Sequence, residues 1–146
     1  MARIKLELPS HFPFTTRFPV RITDLNYGGH AGNDAILSMI HEARVRFLQH
    51  YGYTELNLEG LGLIMSDVAI QFRAELFYGE EIIASVAATE FSPTGFELYY
   101  RLEKEKEGKT VLAVAAKTGM ICFDYSQKKI ASLPQAVLQK LNPVTG

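Results

Sequence analysis

The stretch Asp24-Leu25-Asn26-Tyr27-Gly28-Gly29-His30-Ala31-Gly32-Asn33-Asp34 leads without a break into Ala35-Ile36-Leu37-Ser38-Met39-Ile40-His41-Glu42-Ala43-Arg44-Val45-Arg46-Phe47-Leu48-Gln49-His50-Tyr51-Gly52. In its first part, the crowding of Gly28, Gly29 and Gly32 signals a backbone that turns tightly or comes close to something. In its second part, Ile36, Leu37, Met39, Ile40, Ala43, Phe47, Leu48 and Tyr51 share one broad face at helical period, with Ser38, Glu42 and Gln49 opposite. Asn33 or Asp34 suits the N-cap and Gly52 the C′ position. Period, start and stop therefore agree on one long helix over about 34–51.

Upstream, Pro9, Pro13 and Pro19 argue against a central strand over part of 9–19, and 18–23 reads as a strand. Downstream, four strands are expected at about 62–75, 80–91, 95–105 and 110–124. In the third of these, Phe96, Leu98, Tyr100 and Leu102 alternate with Glu97, Tyr99, Arg101 and Glu103, as in a half-buried strand. Turns fall at Tyr78-Gly79-Glu80, Ser92-Pro93-Thr94-Gly95 and Glu107-Gly108-Lys109, and short turns between long strands predict an antiparallel meander. The mixed charge run 103–109 reads as a solvated hairpin tip, and 134–141 as a short terminal helix after Pro134. One long helix with a broad apolar face needs a sheet to cover it. The expected class is α+β: a long central helix wrapped by a curved antiparallel sheet of about five strands, in a single domain over 1–146.

The 146 residues are 47% hydrophobic and 21% charged, which excludes a disordered chain. With 15 Lys and Arg against 16 Asp and Glu, the chain lacks the basic excess of a dedicated nucleic-acid binder. No apolar run approaches the roughly 18 residues of a membrane span, and Met1–Ser10 lacks the apolar core of a signal peptide. Cys122 is the single cysteine, so no internal disulfide forms. With no Cys/His cluster, this points to a reducing, cytoplasmic setting and away from a structural metal.

At the glycine-rich turn, the sequence resembles the hot dog-fold thioesterases, in the branch of the 4-hydroxybenzoyl-CoA and acyl-carrier-protein thioesterases. Asp24-Leu25-Asn26, Tyr27-Gly28-Gly29 and His30-Ala31-Gly32-Asn33 stand where that signature has its first block, and Glu42-Ala43-Arg44 its second, at matching separation. The resemblance implies a hot dog fold and hydrolysis of an acyl-CoA or acyl carrier protein thioester. Coenzyme A would be part of the substrate, with no metal and no separate cofactor. It also implies a homodimer or homotetramer whose sheets pair edge to edge, with active sites at the subunit interface. The family's second Asp falls on Asn26, whose amide cannot take a proton or attack as a carboxylate. Asn26 is left to orient water or hold the carbonyl. The Asn that the acyl-carrier-protein branch places two residues before its His is Gly28 here.

His30 falls on the family's His, with positioning of water or polarisation of a carbonyl as the implied role and a bond to the backbone as the alternative. The helix N-terminus offers free amides and partial positive charge to a developing oxyanion. Gly28, Gly29, Ala31 and Gly32 would leave those amides clear, or the glycines serve only the turn. Gly28, Gly29, Ala31, Asn33 and Arg73 form the expected substrate-binding set, with Lys117 and Arg101 as further cations for coenzyme A phosphates. Asn26, His30, Asp24 and Asp67 form the expected catalytic set.

Asp24 would share a face with Asn26 on an extended chain. Asp67, or its neighbour Ser66 on the opposite strand face, would supply a base across the subunit interface, or Asp67 is simply solvated. Asp34 reads as a helix cap and Glu42 as an ion-pair partner of Arg46. Arg44, inside the apolar helical face, needs a partner such as Asp24. His11, His41 and His50 read as surface or packing residues, and Cys122 as buried and inert. Two other classes compete: the same fold holding an acyl thioester or fatty acid without turnover, which Asn26 favours, and a hot dog dehydratase.

Overall fold

A computed structural model describes residues 4–142; the outermost residues of the expected 1–146 span lie outside it. The first strand is β1, Phe14–Pro19, paired with a single neighbour. It begins earlier than the expected 18–23 strand, because an edge strand tolerates the flanking prolines Pro13 and Pro19. The chain then leaves the extended conformation for a 3-10 turn at Ile22–Asp24. There the Arg21 N–H donates to Asp24 Oδ2 at 2.7 Å.

Helix α1 spans Asn33–His50, and Gly32 rather than Asn33 or Asp34 takes the N-cap position, with no side-chain cap. Its far end closes as expected: Gly52 adopts φ +83°, its N–H donates to Gln49 O, and the Tyr53 N–H donates to Leu48 O. Ile36, Met39, Ile40, Ala43, Phe47 and Leu48 are buried. Leu37, expected among them, is 40% exposed.

The remaining elements are β2 (Gly62–Phe72), β3 (Glu81–Ser92), β4 (Gly95–Lys106), β5 (Lys109–Asp124), β6 (Lys129–Ile130) and α2 (Gln135–Leu141). The inward side chains of β3, β4 and β5, among them Ile82, Val86, Leu98, Tyr100, Leu102 and Ala116, share one core with α1. All strand pairings are antiparallel, in the order β1-β3-β4-β5-β2, with β6 added to β5. The expected meander holds only for β3, β4 and β5. Tight links join those strands; in the second, Glu107 and Gly108 have φ of 53° and 77°, the mirror-image turn that suits strand twist. β2 pairs with β5, not β3, because the β2–β3 link (73–80) is no hairpin but a segment that runs past the start of α1. The expected turn at Tyr78-Gly79-Glu80 belongs to this link.

Candidate active site at the start of the central helix

The glycine-rich turn closes on itself. The Asn26 N–H donates to His30 O (2.9 Å), Gly29 N–H to Asn26 O (3.1 Å) and Gly32 N–H to Asp24 O (3.1 Å). The Asn26 carboxamide oxygen accepts the Gly28 N–H at 2.8 Å. Gly29 has φ +85°, and nothing lies near the Cβ it lacks, so its role is conformational. Gly28 is different. A Cβ there would sit 3.2 Å from Asn26 Oδ1 and 3.5 Å from His30 Nε2. The position of the Cβ that Gly28 lacks thus lies against the two polar groups that the sequence singles out.

The Ala31 N–H donates to Leu76 O at 2.8 Å, so the amides of Gly28, Gly29, Ala31 and Gly32 all have acceptors within the protein. The loop amides are therefore not the free donors. The first helical bond runs from Ile36 N–H to Gly32 O, and the amides of Asn33, Asp34 and Ala35 make no hydrogen bond among the described residues. With no side chain capping α1, these three donors and the positive end of the helix dipole remain open. His30 is about one-third exposed. Its Nδ1 lies 3.3 Å from Ala31 O, an acceptor, so Nδ1 carries the proton of that bond. Nε2 is left facing Gly28 on one side and Glu75 Oε1, 3.7 Å away, on the other.

Other expected residues are placed elsewhere. Asp24 is buried by the 3-10 turn and lines a cleft with Phe18, Arg21, Ser38, Met39, Glu42 and Arg46, so it does not share an extended face with Asn26. Glu42 pairs with Arg46 at 2.7 Å, as expected. The partner of Arg44 is not Asp24: its guanidinium donates to Glu55 Oε2 and to the Tyr100 hydroxyl, each at 3.2 Å. Tyr100 in turn meets Thr118 Oγ1 at 2.7 Å.

Ser66 and Asp67 do not point to opposite faces. A β-bulge between Met65 and Asp67 turns both over Gly119, where Ser66 Oγ donates to Gly119 O at 3.1 Å. No hydrogen bond or ion pair among the described residues ties Asp67 to the loop. Lys117 is paired with Glu97, and Arg101 with Glu103 while stacked on Phe12. Arg73 is exposed and makes no ion pair among the described residues. His41 meets Glu55, and His50 packs between the rings of Phe14 and Tyr51. Burial pushes the Cys122 thiol up to about 11, so it is neutral and unreactive in the folded protein.

The β2–β3 link also supplies residues that the sequence reading passed over: Glu75, Phe77 and Glu80, with Lys104 from β4 beneath them. One signal was available. Lys104 continues the inward alternation Leu98, Tyr100, Leu102, and an inward lysine needs partners.

The model of the thioesterase-like superfamily matches residues 20–141. The chain belongs to that superfamily. No curated protein matches it. Among solved structures it is similar to a 1,4-dihydroxy-2-naphthoyl-CoA thioesterase from Synechocystis (TM-score 0.79, 22% identity, covering 91% of this chain and 98% of that one). It is also similar to a mutant 4-hydroxybenzoyl-CoA thioesterase complexed with 4-hydroxybenzoyl-CoA (TM-score 0.80, 12% identity, 88% and 98% covered). A third is a hypothetical protein from Staphylococcus aureus in complex with CoA (TM-score 0.79, 14% identity, 97% and 88% covered). The fold is the hot dog fold that the sequence resemblance implied, and membership makes this chain a thioester hydrolase. Among the described residues, no helix is long and apolar enough to cross a membrane, and no group of His, Cys, Asp and Glu could hold a metal ion.

Proposed function

We propose that this thioesterase hydrolyses an acyl-CoA thioester at the N-terminus of α1. The observation that carries the reading is that three amides, Asn33–Ala35, are without a hydrogen bond among the described residues, while Asn26 Oδ1 and His30 Nε2 both face the position of the Cβ that Gly28 lacks. The thioester oxygen lies against the amides, where each donor to a developing oxyanion is worth ~10²–10³ in rate. A water sits beside Gly28, oriented by the Asn26 carboxamide. His30 Nε2 takes its proton as the oxygen attacks the carbonyl carbon. The C–S bond then breaks, and the departing sulfur receives that proton. The products are a free acid and a thiol. Asn26 orients rather than reacts, since an amide has no proton-accepting role here. Asp24 holds the approach to the loop through Arg21 and Gly32.

The coenzyme A form of the substrate is supported by two of the similar structures, one complexed with 4-hydroxybenzoyl-CoA and one with CoA. Arg73, an exposed cation just after β2 with no ion pair among the described residues, suits the nucleotide phosphates. The open edge of β2, with Met65, Val68 and Phe72 exposed, is proposed to pair with a second copy of the chain in the cytoplasm. Asp67, on that edge, would act across the interface.

The test is release of free thiol from a panel of acyl-CoAs. The wild type is expected to turn over at least one of them, and His30→Ala to lose about 10²-fold in kcat. A wild type that binds acyl-CoA but releases no thiol would establish the binding-protein reading instead.

A further inference from the structure

Lys104 is only 4% exposed, although it stands near the end of β4. Its ammonium donates to the carbonyl of Glu75 at 2.7 Å and meets both carboxylate oxygens of Glu80, at 3.1 and 3.0 Å. It also lies 5.1 Å from the centroid of the Phe77 ring. Every one of these partners is on the link between β2 and β3. The same Glu80 carboxylate accepts the Phe77 N–H at 2.7 Å, which folds the link back on itself. The folded link then grips the catalytic loop: Leu76 O takes the Ala31 N–H at 2.8 Å, Phe77 bridges to His30, and Glu75 Oε1 stands 3.7 Å from His30 Nε2.

The chain of contacts runs from a buried cation to the ring expected to move a proton. We propose that Lys104 is a positioning residue for the hydrolysis: it locks the β2–β3 link against the His30–Ala31 turn and sets the Glu75 carboxylate beside His30 Nε2. The inference rests on the thioesterase reading for its kinetic consequence. Lys104 does not touch the substrate. It acts through Glu75 and Glu80. A lysine carries three donors, and here they are shared between one carbonyl and one carboxylate that lie on either side of Phe77. Glu75 in turn gives the imidazolium formed during proton transfer a carboxylate to face. The proton passes from water to His30 Nε2 and on to the sulfur. Glu75 neither gains nor loses one.

The test uses Lys104→Met, which keeps the length of the side chain and removes the ammonium, with Lys104→Arg and Glu75→Gln beside it. Two readouts are followed: thiol release from the acyl-CoA panel, and hydrogen exchange of the Ala31 amide, which needs no turnover. Lys104→Met should lower kcat by about tenfold or more with KM changed less than about twofold, since only orientation is lost. Its Ala31 amide should exchange about tenfold or more faster as the bond to Leu76 O loosens. Lys104→Arg should recover much of both, and Glu75→Gln should lower kcat while leaving Ala31 exchange unchanged. If Lys104→Met does not fold, Glu80→Gln takes its place, since it removes the charge that holds the ammonium and keeps an acceptor for Phe77 N–H. Normal Ala31 exchange in a folded Lys104→Met or Glu80→Gln protein would overturn the proposal. A wild type inert on every acyl-CoA would count against the thioesterase reading, and the exchange result would still decide whether Lys104 holds the loop.

Discussion

Gly28 and Gly29 are neighbours with separate jobs, and substitution should separate them. Gly28→Ala puts a methyl between Asn26 Oδ1 and His30 Nε2 without a left-handed φ to strain. It should cut kcat about tenfold or more and leave the thermal midpoint almost unchanged. Gly29→Ala, at φ +85° with open space around the Cβ, should cost about 1 kcal/mol of stability and keep most of the activity. Thiol release and thermal melts on the two proteins check both outcomes. Asn26 is tested by a pair of changes. Asn26→Ala removes both the group proposed to orient water and the acceptor of the Gly28 N–H, so kcat should fall about tenfold or more. Asn26→Asp keeps that acceptor and adds a base, so activity should match or exceed the wild type. An inert wild type beside an active Asn26→Asp protein would show that the natural residue has switched the enzyme off.

At the scale of elements, α1 shows why part of the site was legible in sequence. Its period, the turn before it and Gly52 after it are local signals, and they located the loop and the helix terminus; His30 was singled out by the family resemblance. Which amides are free was not legible, because Ala31 N–H is taken by Leu76 and Gly32 N–H by Asp24, through contacts that no local pattern encodes. The same limit applies to Arg44. Its place in the apolar face demanded a partner, but only the packed structure shows Glu55 and Tyr100 in that role. Arg44→Ala takes the guanidinium away from the fully buried Tyr100 hydroxyl and the partly buried Glu55 carboxylate, leaving them Thr118 and His41 as their remaining partners. It should cost about 3 kcal/mol by urea unfolding, at the lower end for a broken buried pair because Glu55 keeps some contact with water. Ser66 and Asp67 illustrate a different failure. Strict alternation put them on opposite faces, and one bulged residue puts them on the same one.

For the whole molecule, the class, the helix and the four long strands followed from periodicity and turn chemistry. The order of strands did not, because a link that leaves the edge strand β2 and crosses past β5 and β4 to reach β3 has no local signature. That order matters to the proposed function: it leaves β2 on the edge, with Met65, Val68 and Phe72 exposed, and carries residues 73–80 past the glycine-rich loop. Sedimentation equilibrium at micromolar concentration should give at least twice the 16.3 kDa of one chain. Val68→Lys, a charge placed on the edge, should shift the distribution toward the monomer. A single 16.3 kDa species in the wild type would contradict edge pairing.

The central claim is that the reacting carbonyl meets the start of α1. A crystal structure with an acyl-CoA analogue that carries a methylene in place of the thioester sulfur tests it most directly. The account predicts the carbonyl oxygen within hydrogen-bond reach of one or more of the Asn33, Asp34 and Ala35 amides, with its carbon beside Gly28, Asn26 and His30. A carbonyl seated in the Asp24–Glu42 cleft, with the three amides bonded only to water, would contradict it.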